Sequence, residues 1–536
     1  MATDSASASL RSHSAWSPLR HRVFRWLWIA ACASYVGTWM HDVGAAWLMT
    51  TLEPAPIMVA LVRTASTLPI FLFALPAGAL ADVLDRRRLL LFTQSLLLVA
   101  AALLAILTFA QVTTPTLLLI LTFVLGIGNA LNAPAWQANV AELVPLSELS
   151  PAIALNSASI NLARSVGPAI GGLLIAATGP AVTFALNAVS FCGVIYVLYR
   201  WRRQRTAAVL PAERVLSAMR AGIRYVRHAP AVLAVLARSA SFTVFAAALL
   251  ALLPALARFE LGRGPTGYGI LLGVFGAGAV LALLLLPRAR ARLSAERIVA
   301  IAVLSFAAAL MLLAWARFLV AAELAVFVAG GAWLTLISTF NASIQEVVPG
   351  WVRGRALSVS ILVFFGCMAA GSAVWGYVAN RFGLSTAFTA AAIGLMIGLF
   401  ATRRLRIAKG QAVDLSPSVH WPAPNVAKEF AGHEGPVVVT VEYVIEPERV
   451  RHFRRVMQRV RRIRKRDGAI SWALLSDVGH PRRYTETFVV ESWLEHLRQH
   501  ERVTVADRAV LEKARSFHTE AHPPHVTHYI VEPLSR

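Results

Sequence analysis

Gly78-Ala79-Leu80-Ala81-Asp82-Val83-Leu84-Asp85-Arg86-Arg87-Arg88 joins two apolar runs, Ile57 to Leu80 and Leu89 to Ala110. Each run exceeds the roughly 20 residues that a membrane-spanning helix needs. Two such helices joined by so short a basic loop form a hairpin. Lys and Arg in short loops mark the cytoplasmic side of a membrane, so this loop orients its neighbours and, through them, the chain.

Composition extends that reading. Of 536 residues 57% are hydrophobic and only 15% charged, and the mean hydropathy is +0.62. A soluble chain of this length carries far more charge. The net charge of +23 is unevenly spread: residues 1–402 hold 28 Arg, no Lys and 12 acids, whereas residues 403–536 hold 23 bases and 16 acids. The sequence therefore describes two regions made for different solvents. The bases of the first region sit in loops, which argues for membrane topology and against nucleic acid. Cys32, Cys192 and Cys367 all fall in apolar runs, without the spacing of a disulfide framework or a metal site. No cofactor or metal is expected. The polar, Arg-bearing start up to Arg25 leads into an apolar run without a small-residue cleavage site, so that run reads as a retained helix.

Counting runs gives about twelve spans: 24–50, 56–80, 89–110, 115–140, 152–177, 181–200, 231–257, 266–286, 297–317, 320–345, 354–379 and 384–402. Alternate loops test the topology. One set, from Arg11 to Arg25, Arg86 to Arg88, Arg200 to Arg227, Arg288 to Arg297, and Arg353 with Arg355, holds 21 Arg; the other holds four. The first set is therefore cytoplasmic, with both chain ends. Glu142 to Glu148 is the exception, on the inner side with no base. The connector 201–230 separates six spans from six. Within it Val215, Met219, Ile223 and Val226 follow helical spacing, while Arg214, Arg220, Arg224 and Arg227 fill other faces. An amphipathic helix on anionic lipid is expected there.

The two halves repeat. Glu142-Leu-Val-Pro145 recurs as Glu346-Val-Val-Pro349, and at the same shift of 204 Gly167 meets Gly371 and Gly172 meets Gly376. Four ionisable residues fall inside spans: Asp42, Arg63, Arg164 and Arg238. Each costs about 2.5–3.5 kcal/mol at a helix centre, so a partner or a wet cavity is expected. Asp42 lies late in an outward-running span and Arg63 early in the returning one, at similar depth, so the two can pair. Asp42 is the candidate proton or substrate site and Arg63 its neighbour; a purely structural ion pair is the alternative. Arg164, with Asn156 and Asn161 nearby, could meet an anionic substrate or cap neighbouring carbonyls. In Gly167-Pro-Ala-Ile-Gly171-Gly172 the glycines permit close helix approach, and Pro168 loosens the helix ladder.

The 78–88 loop resembles the signature of the major facilitator superfamily of secondary transporters, matched at Gly78, Leu80, Ala81, Asp82, Arg86 and Arg87, with Val83 in place of an Arg and Asp85 in place of a Gly. The resemblance implies two parallel six-helix halves. It also makes Gly78, Asp82, Arg86 and Arg87 a gating loop whose contacts hold the cytoplasmic side closed. The Gly167–Gly172 stretch resembles the fifth-helix motif of drug–proton antiporters, which implies export. Such antiporters often carry an Arg four residues before a Gly-x-Gly; here Thr122 precedes Gly126 and Gly128. Over residues 20–405, the segments Trp39-Met-His-Asp-Val-Gly-Ala-Ala-Trp47 and Asn161-Leu-Ala-Arg-Ser-Val-Gly-Pro168 make the chain similar to enterobactin-type siderophore exporters and related secretion effectors.

Beyond Arg403 the composition changes. Prolines at 417, 422, 424 and 436 read as a linker. A strand–helix–strand–strand–helix–strand order follows: 437–445, 448–466, 469–477, 484–493, 494–517 and 525–531. That order is ferredoxin-like. It resembles antibiotic-biosynthesis monooxygenase-like domains, which implies pairing through the sheets; no catalytic signature accompanies the resemblance. Trp472 and Trp493 are expected in the core. His496 and His500 stand at i and i+4, a spacing that could bind metal; without a Glu in a zincin pattern, a solvated face is expected. The bases from Arg451 to Arg466 are expected on the outer face of a helix, where anionic headgroups are one partner.

The expectation is an all-α membrane protein of about 12 transmembrane helices in two six-helix pseudo-repeats, plus a cytoplasmic α+β ferredoxin-like domain. Its segments are an N-terminal tail (1–23), a first half (24–200), a connector (201–230), a second half (231–402), a linker (403–436) and the soluble domain (437–536). Its function reads as secondary export of a small organic solute, such as a siderophore or drug, across the bacterial cytoplasmic membrane, with protons as coupling ion. A membrane-tethered monooxygenase-like enzyme and a lipid-handling protein are the alternatives.

Overall fold

The computed structural model describes residues 16–201, 215–405, 414, 416, 418 and 434–532. The linker expected at 403–436 lies almost wholly outside them, as do the tail up to residue 15 and residues 202–214 of the connector. The chain divides into two units: residues 1–212, 238–339 and 361–404 form the first; residues 213–237, 340–360 and 405–536 form the second.

The helices of the apolar region are α1 (Arg22–Leu52), α2 (Pro56–Val83), α3 (Arg86–Phe109), α4 (Pro115–Glu142), α5 (Leu149–Thr178), α6 (Pro180–Arg200), α7 (Val215–His228), α8 (Pro230–Ala255), α9 (Pro265–Arg292), α10 (Ala295–Trp315), α11 (Leu319–Val347), α12 (Arg353–Phe382) and α13 (Leu384–Ala401). Proline starts α2, α4, α6 and α9 within the first two positions, where its missing N–H costs nothing and its fixed φ suits the helix. Among the described residues eleven helices are long and apolar enough to cross a membrane. The expected count was about twelve. α1, with 31 residues, is long enough; Arg22, Arg25, His41 and Asp42 dilute its apolar run, and it falls outside the eleven.

The repeat seen in the sequence governs the helix boundaries. α5 and α12 begin at Leu149 and Arg353 and end at Thr178 and Phe382, so both ends differ by 204. The glycine after each, Gly179 (φ +85°) and Gly383 (φ +89°), repeats at the same shift. Both hold the left-handed backbone that only glycine adopts without strain, and each turns the chain back into the next helix.

The quoted loop is tighter than a free connection. The Asp85 side chain accepts from the Arg88 backbone N–H at 3.0 Å and caps α3. The residue that departs from the superfamily's glycine thus satisfies one of the helix's orphan donors.

In the second unit, β1 (Val437–Val444), β2 (Ser471–Ser476), β3 (Arg483–Val490) and β4 (His525–Ile530) form an antiparallel sheet in the order β2-β3-β1-β4. Alternation puts Val437, Val439, Val441 and Tyr443 on one buried face. α14 (Val450–Asp467) lays Phe453, Met457, Val460 and Ile463 against it. The single helix expected at 494–517 is two, α15 (Trp493–Arg502) and α16 (Val505–Arg515). Thr504 and Asp507 form a reciprocal capping box that starts a new helix at Val505, a local device that outcompetes continuation.

Three expectations for this domain need correction. His496 is 2% exposed instead of solvated; its ring packs on Trp493, on His500 at 4.6 Å and on His528 at 4.8 Å. Arg464 and Arg466 do not lie on an outer face: Arg464 pairs with the fully buried Glu486 at 3.0 Å, and Arg466 with Asp467 and Asp507. Buried charge is tolerated only when so paired. Asp467, pushed up by burial, is drawn back by Arg466. Trp493 is buried as expected, while Trp472 is half-buried and donates to Glu486 at 2.9 Å.

Candidate functional site

A cavity of about 370 Å³ opens between α1, α2, α4 and α5 on one side and α8, α9, α11 and α12 on the other. The three charged residues singled out inside the first six spans, Asp42, Arg63 and Arg164, all line it. Asp42 on α1 and Arg63 on α2 approach to 4.0 Å. That is the limit of an ion pair, and the guanidinium Nε of Arg63 is buried without a hydrogen-bond partner. The Nε of Arg164 on α5 is likewise buried and unpartnered; its guanidinium lies 5.7 Å from the Trp39 ring centre. Two cations thus face one carboxylate across the cavity.

The helices hold these groups through local chemistry. Thr67 and Ser66 turn their hydroxyls back onto the Arg63 carbonyl at 2.7 and 2.9 Å, bonds that tighten or bend a helix beside its functional residue. His41 follows the opposite face of α1, buried against Phe184 with ring centres 4.6 Å apart. Asn156 and Asn161 do not join Arg164. The first accepts from Tyr35 at 3.2 Å; the second donates to the Ser157 carbonyl at 2.8 Å. Arg238 stands apart too: it donates to Glu296 at 2.7 Å and to the Thr402 carbonyl at 3.2 Å, a structural tie among α8, α10 and the end of α13.

Sequence reading missed the aromatic half of the cavity. Tyr268, Phe275, Trp333, Phe364 and Phe365 line the wall that α9, α11 and α12 provide. A ring in an apolar run carries no label for the face it occupies. Thr122, at the position where antiporters often hold Arg, also lines the cavity, and its hydroxyl is buried without a partner.

The glycine stretch of α5 is an axle between two helices. A Cβ on Gly167 would meet Trp39 Cβ at 2.6 Å, and one on Gly171 would meet the Met40 backbone at 3.0 Å, both on α1. On the other side a Cβ on Gly172 would sit 2.7 Å from the Pro265 carbonyl oxygen and 2.9 Å from the Gly269 Cα of α9. Pro168 faces the cavity, and its carbonyl oxygen abuts Gly269. Backbone-to-backbone contact of this kind needs residues without side chains.

The basic loop is tied to its own half. Arg86 pairs with Glu142 at the end of α4, and Arg87 donates to the carbonyls of Leu198 and Tyr199 at 2.8 and 2.7 Å, closing the end of α6. Glu148 binds His21 at 2.8 Å. The acidic 142–148 turn, the one exception to the charge rule, is thus the counter-charge for its neighbours. Gly78 has open space around it; the Asp82 side chain lies outside the described residues.

The geometry meets known proteins at this point. The chain is 24% identical over 392 residues to the staphyloferrin A transporter of Staphylococcus aureus (strain NCTC 8325 / PS 47), covering 70% of this chain and 94% of that one. It is 24% identical over 380 residues to the multidrug efflux pump Tap of Mycolicibacterium fortuitum, covering 69% and 92%. Among solved structures, an inward-facing bacterial homologue of the human lysosomal transporter Spinster matches with a TM-score of 0.58 at 15% identity, covering 72% of this chain and 98% of that one. This likeness shows the fold that the two chains share. The transmembrane secretion effector family matches residues 13–535, the tail included, and the chain belongs to that family of transporters.

Proposed function

We propose that the chain exports a small organic solute from the bacterial cytoplasm by alternating access, with Asp42 as the proton-coupling group. The observation that carries this is the cavity between the two halves, where Asp42, Arg63 and Arg164 face a wall of rings. An excess of guanidinium over carboxylate favours a solute with an anionic group, since Arg binds carboxylates and phosphates in a bidentate way. The aromatic wall suits the apolar body of the same molecule. Relatives named for staphyloferrin A, multidrug and macrolide efflux support siderophores and drugs as the classes to try.

In this reading α1 is the twelfth span, and its charged cavity face is what lowers its apolarity. The 21-to-4 arginine bias puts both termini in the cytoplasm. Asp82, Arg86 and Arg87 serve the cytoplasmic gate, and the α5 glycines let α5 roll between α1 and α9. The tail is a ferredoxin-like domain without catalysis, able to pair with a second copy, and the exposed bases of α14 meet anionic lipid.

Inverted vesicles holding the full chain test the reading. Under an inside-acid gradient, adding a transported siderophore or drug should collapse the gradient, and Asp42→Asn should abolish the collapse. Collapse that persists in Asp42→Asn would remove Asp42 from coupling. No collapse with any compound, with insertion verified, would refute proton-driven export.

A further inference from the structure

The second unit contains an interface between the tail domain and two short segments that lie well before it in the chain. α7 packs along α14. Arg224 of α7 donates to Glu495 of α15 at 3.0 Å. The same Glu495 grips Arg502, which also donates to the Asp467 carbonyl at 2.8 Å. Arg502 then spreads over the Trp351 ring, 4.6 Å from its centre, and Arg466 over the Tyr225 ring at 5.5 Å. Tyr225 and Trp351 close the set edge to face at 5.7 Å. Tyr225 is 2% exposed, Arg502 5% and Asp467 1%. Gly468, at φ +146°, leaves the space in which these groups meet: a Cβ there would approach Glu495 to 3.2 Å and Arg224 to 3.7 Å.

Charges buried in this way are costly unless every partner is in place, so the face belongs against α7 and the Trp351 turn. The two segments have one thing in common. α7 leads into α8 through Ala229 alone, and Trp351 lies in the turn between α11 and α12. Both adjoin helices of the second half of the repeat. At the shift of 204, Trp351 corresponds to Ser147, in the turn that the first half ties down through Glu142 with Arg86 and Glu148 with His21. The second half keeps Glu142 as Glu346 but has Val352 where the first has Glu148, and beside that position Arg502 of the tail covers the Trp351 ring.

We propose that the tail is a docked regulatory domain of the transporter: its Glu495–Arg502 face receives α7 and the Trp351 turn of the same chain, and transport depends on that seating. The tail's Arg502 covers the second half's turn beside the position where Glu148 ties the first to His21. The domain is thereby a place where binding or pairing at the tail reaches the ends of α8, α11 and α12. The proposal rests on the transporter reading for its functional half only.

The test uses the full chain in membranes, with a protease site inserted between Pro424 and Glu434. After cutting, the tail should stay with the washed membranes. Arg224→Ala with Trp351→Ala should release roughly tenfold more of it, the loss expected of an ion pair with a cation–π contact. A tail that washes off the cut parent chain overturns the docking. In the uncut chain the same pair of changes should slow transport severalfold while solute binding is kept; unchanged transport overturns the regulatory role. Should the Trp351 variant fail to insert, Arg224→Ala with Glu495→Gln replaces it. Failure of the exporter reading is separate: the parent chain would not transport, and tail retention would still be readable.

Discussion

At the scale of single residues, the cavity is defined by an imbalance. Asp42 can offset one guanidinium, and it stands 4.0 Å from Arg63. Arg164 has the Trp39 ring beside it and an unpartnered Nε. A charge so placed is available to a solute and costly to leave alone. Arg164→Ala is therefore expected to weaken an anionic solute by about 1.5–3 kcal/mol, the range of hydrogen bonds to charged groups, and to leave neutral compounds of similar size within about twofold. Titration of purified protein with such a matched pair, by fluorescence or calorimetry, checks it. Equal losses for both compounds would mean that Arg164 supports the cavity wall instead of reading charge.

At the scale of elements, α5 is the piece on which both halves bear. Its glycines touch α1 on one side and α9 on the other, through backbone atoms. Backbone cannot rotate away as a side chain does, so added volume must push the helices apart. Gly172→Val places a branched side chain within 2.7 Å of the Pro265 carbonyl and 2.9 Å of Gly269 Cα. The variant should insert and keep its tail, yet lose at least about tenfold in transport rate, because overpacking of this kind typically costs 1–3 kcal/mol. Gly273→Ala is the control: its Cβ would find contacts at 3.6 Å and beyond, ordinary packing distance, and transport should persist. If both variants behave alike, close approach of α5 and α9 is not needed for movement.

At the scale of the whole molecule, the tail domain should have a pH response of its own. The tail has a buried histidine cluster. Burial pushes His496 down to about 3, helped by His500 and His528, so His496 is neutral when folded and free to protonate when unfolded. Between about pH 6.5 and 3 the unfolded state binds the extra proton, and stability falls as pH falls. The loss should reach about 2 kcal/mol by pH 5. Hydrogen exchange in the full chain checks this: amides of β1 and α14 should lose protection between pH 6.5 and 5, and His496→Phe should remove most of that dependence. Protection that is flat across this window would mean that the cluster protonates without cost.

How much of this was legible depended on the kind of information each feature needs. The hairpin around Asp82, the arginine bias and the repeat at 204 are local or periodic, and the helix ends at Leu149 and Arg353 follow them to the residue. The sequence by itself determined the class of the molecule, its helical repeat and the presence of four strands in the tail. It also picked out Asp42, Arg63 and Arg164, because a charge in an apolar run is costly enough to need a reason. Only the tertiary structure decided that these three share a cavity, that Arg238 instead serves Glu296, and that Tyr268, Trp333 and Phe364 form the opposite wall. It alone turned the acidic 142–148 turn from an exception into a counter-charge, buried His496 in place of exposing it, and seated the tail on Tyr225 and Trp351. The physical reason is the same in each case. Hydrophobicity, caps and charge bias act within a few turns of one helix, whereas the partner of a ring or a guanidinium is chosen by helices that meet only after the chain has packed.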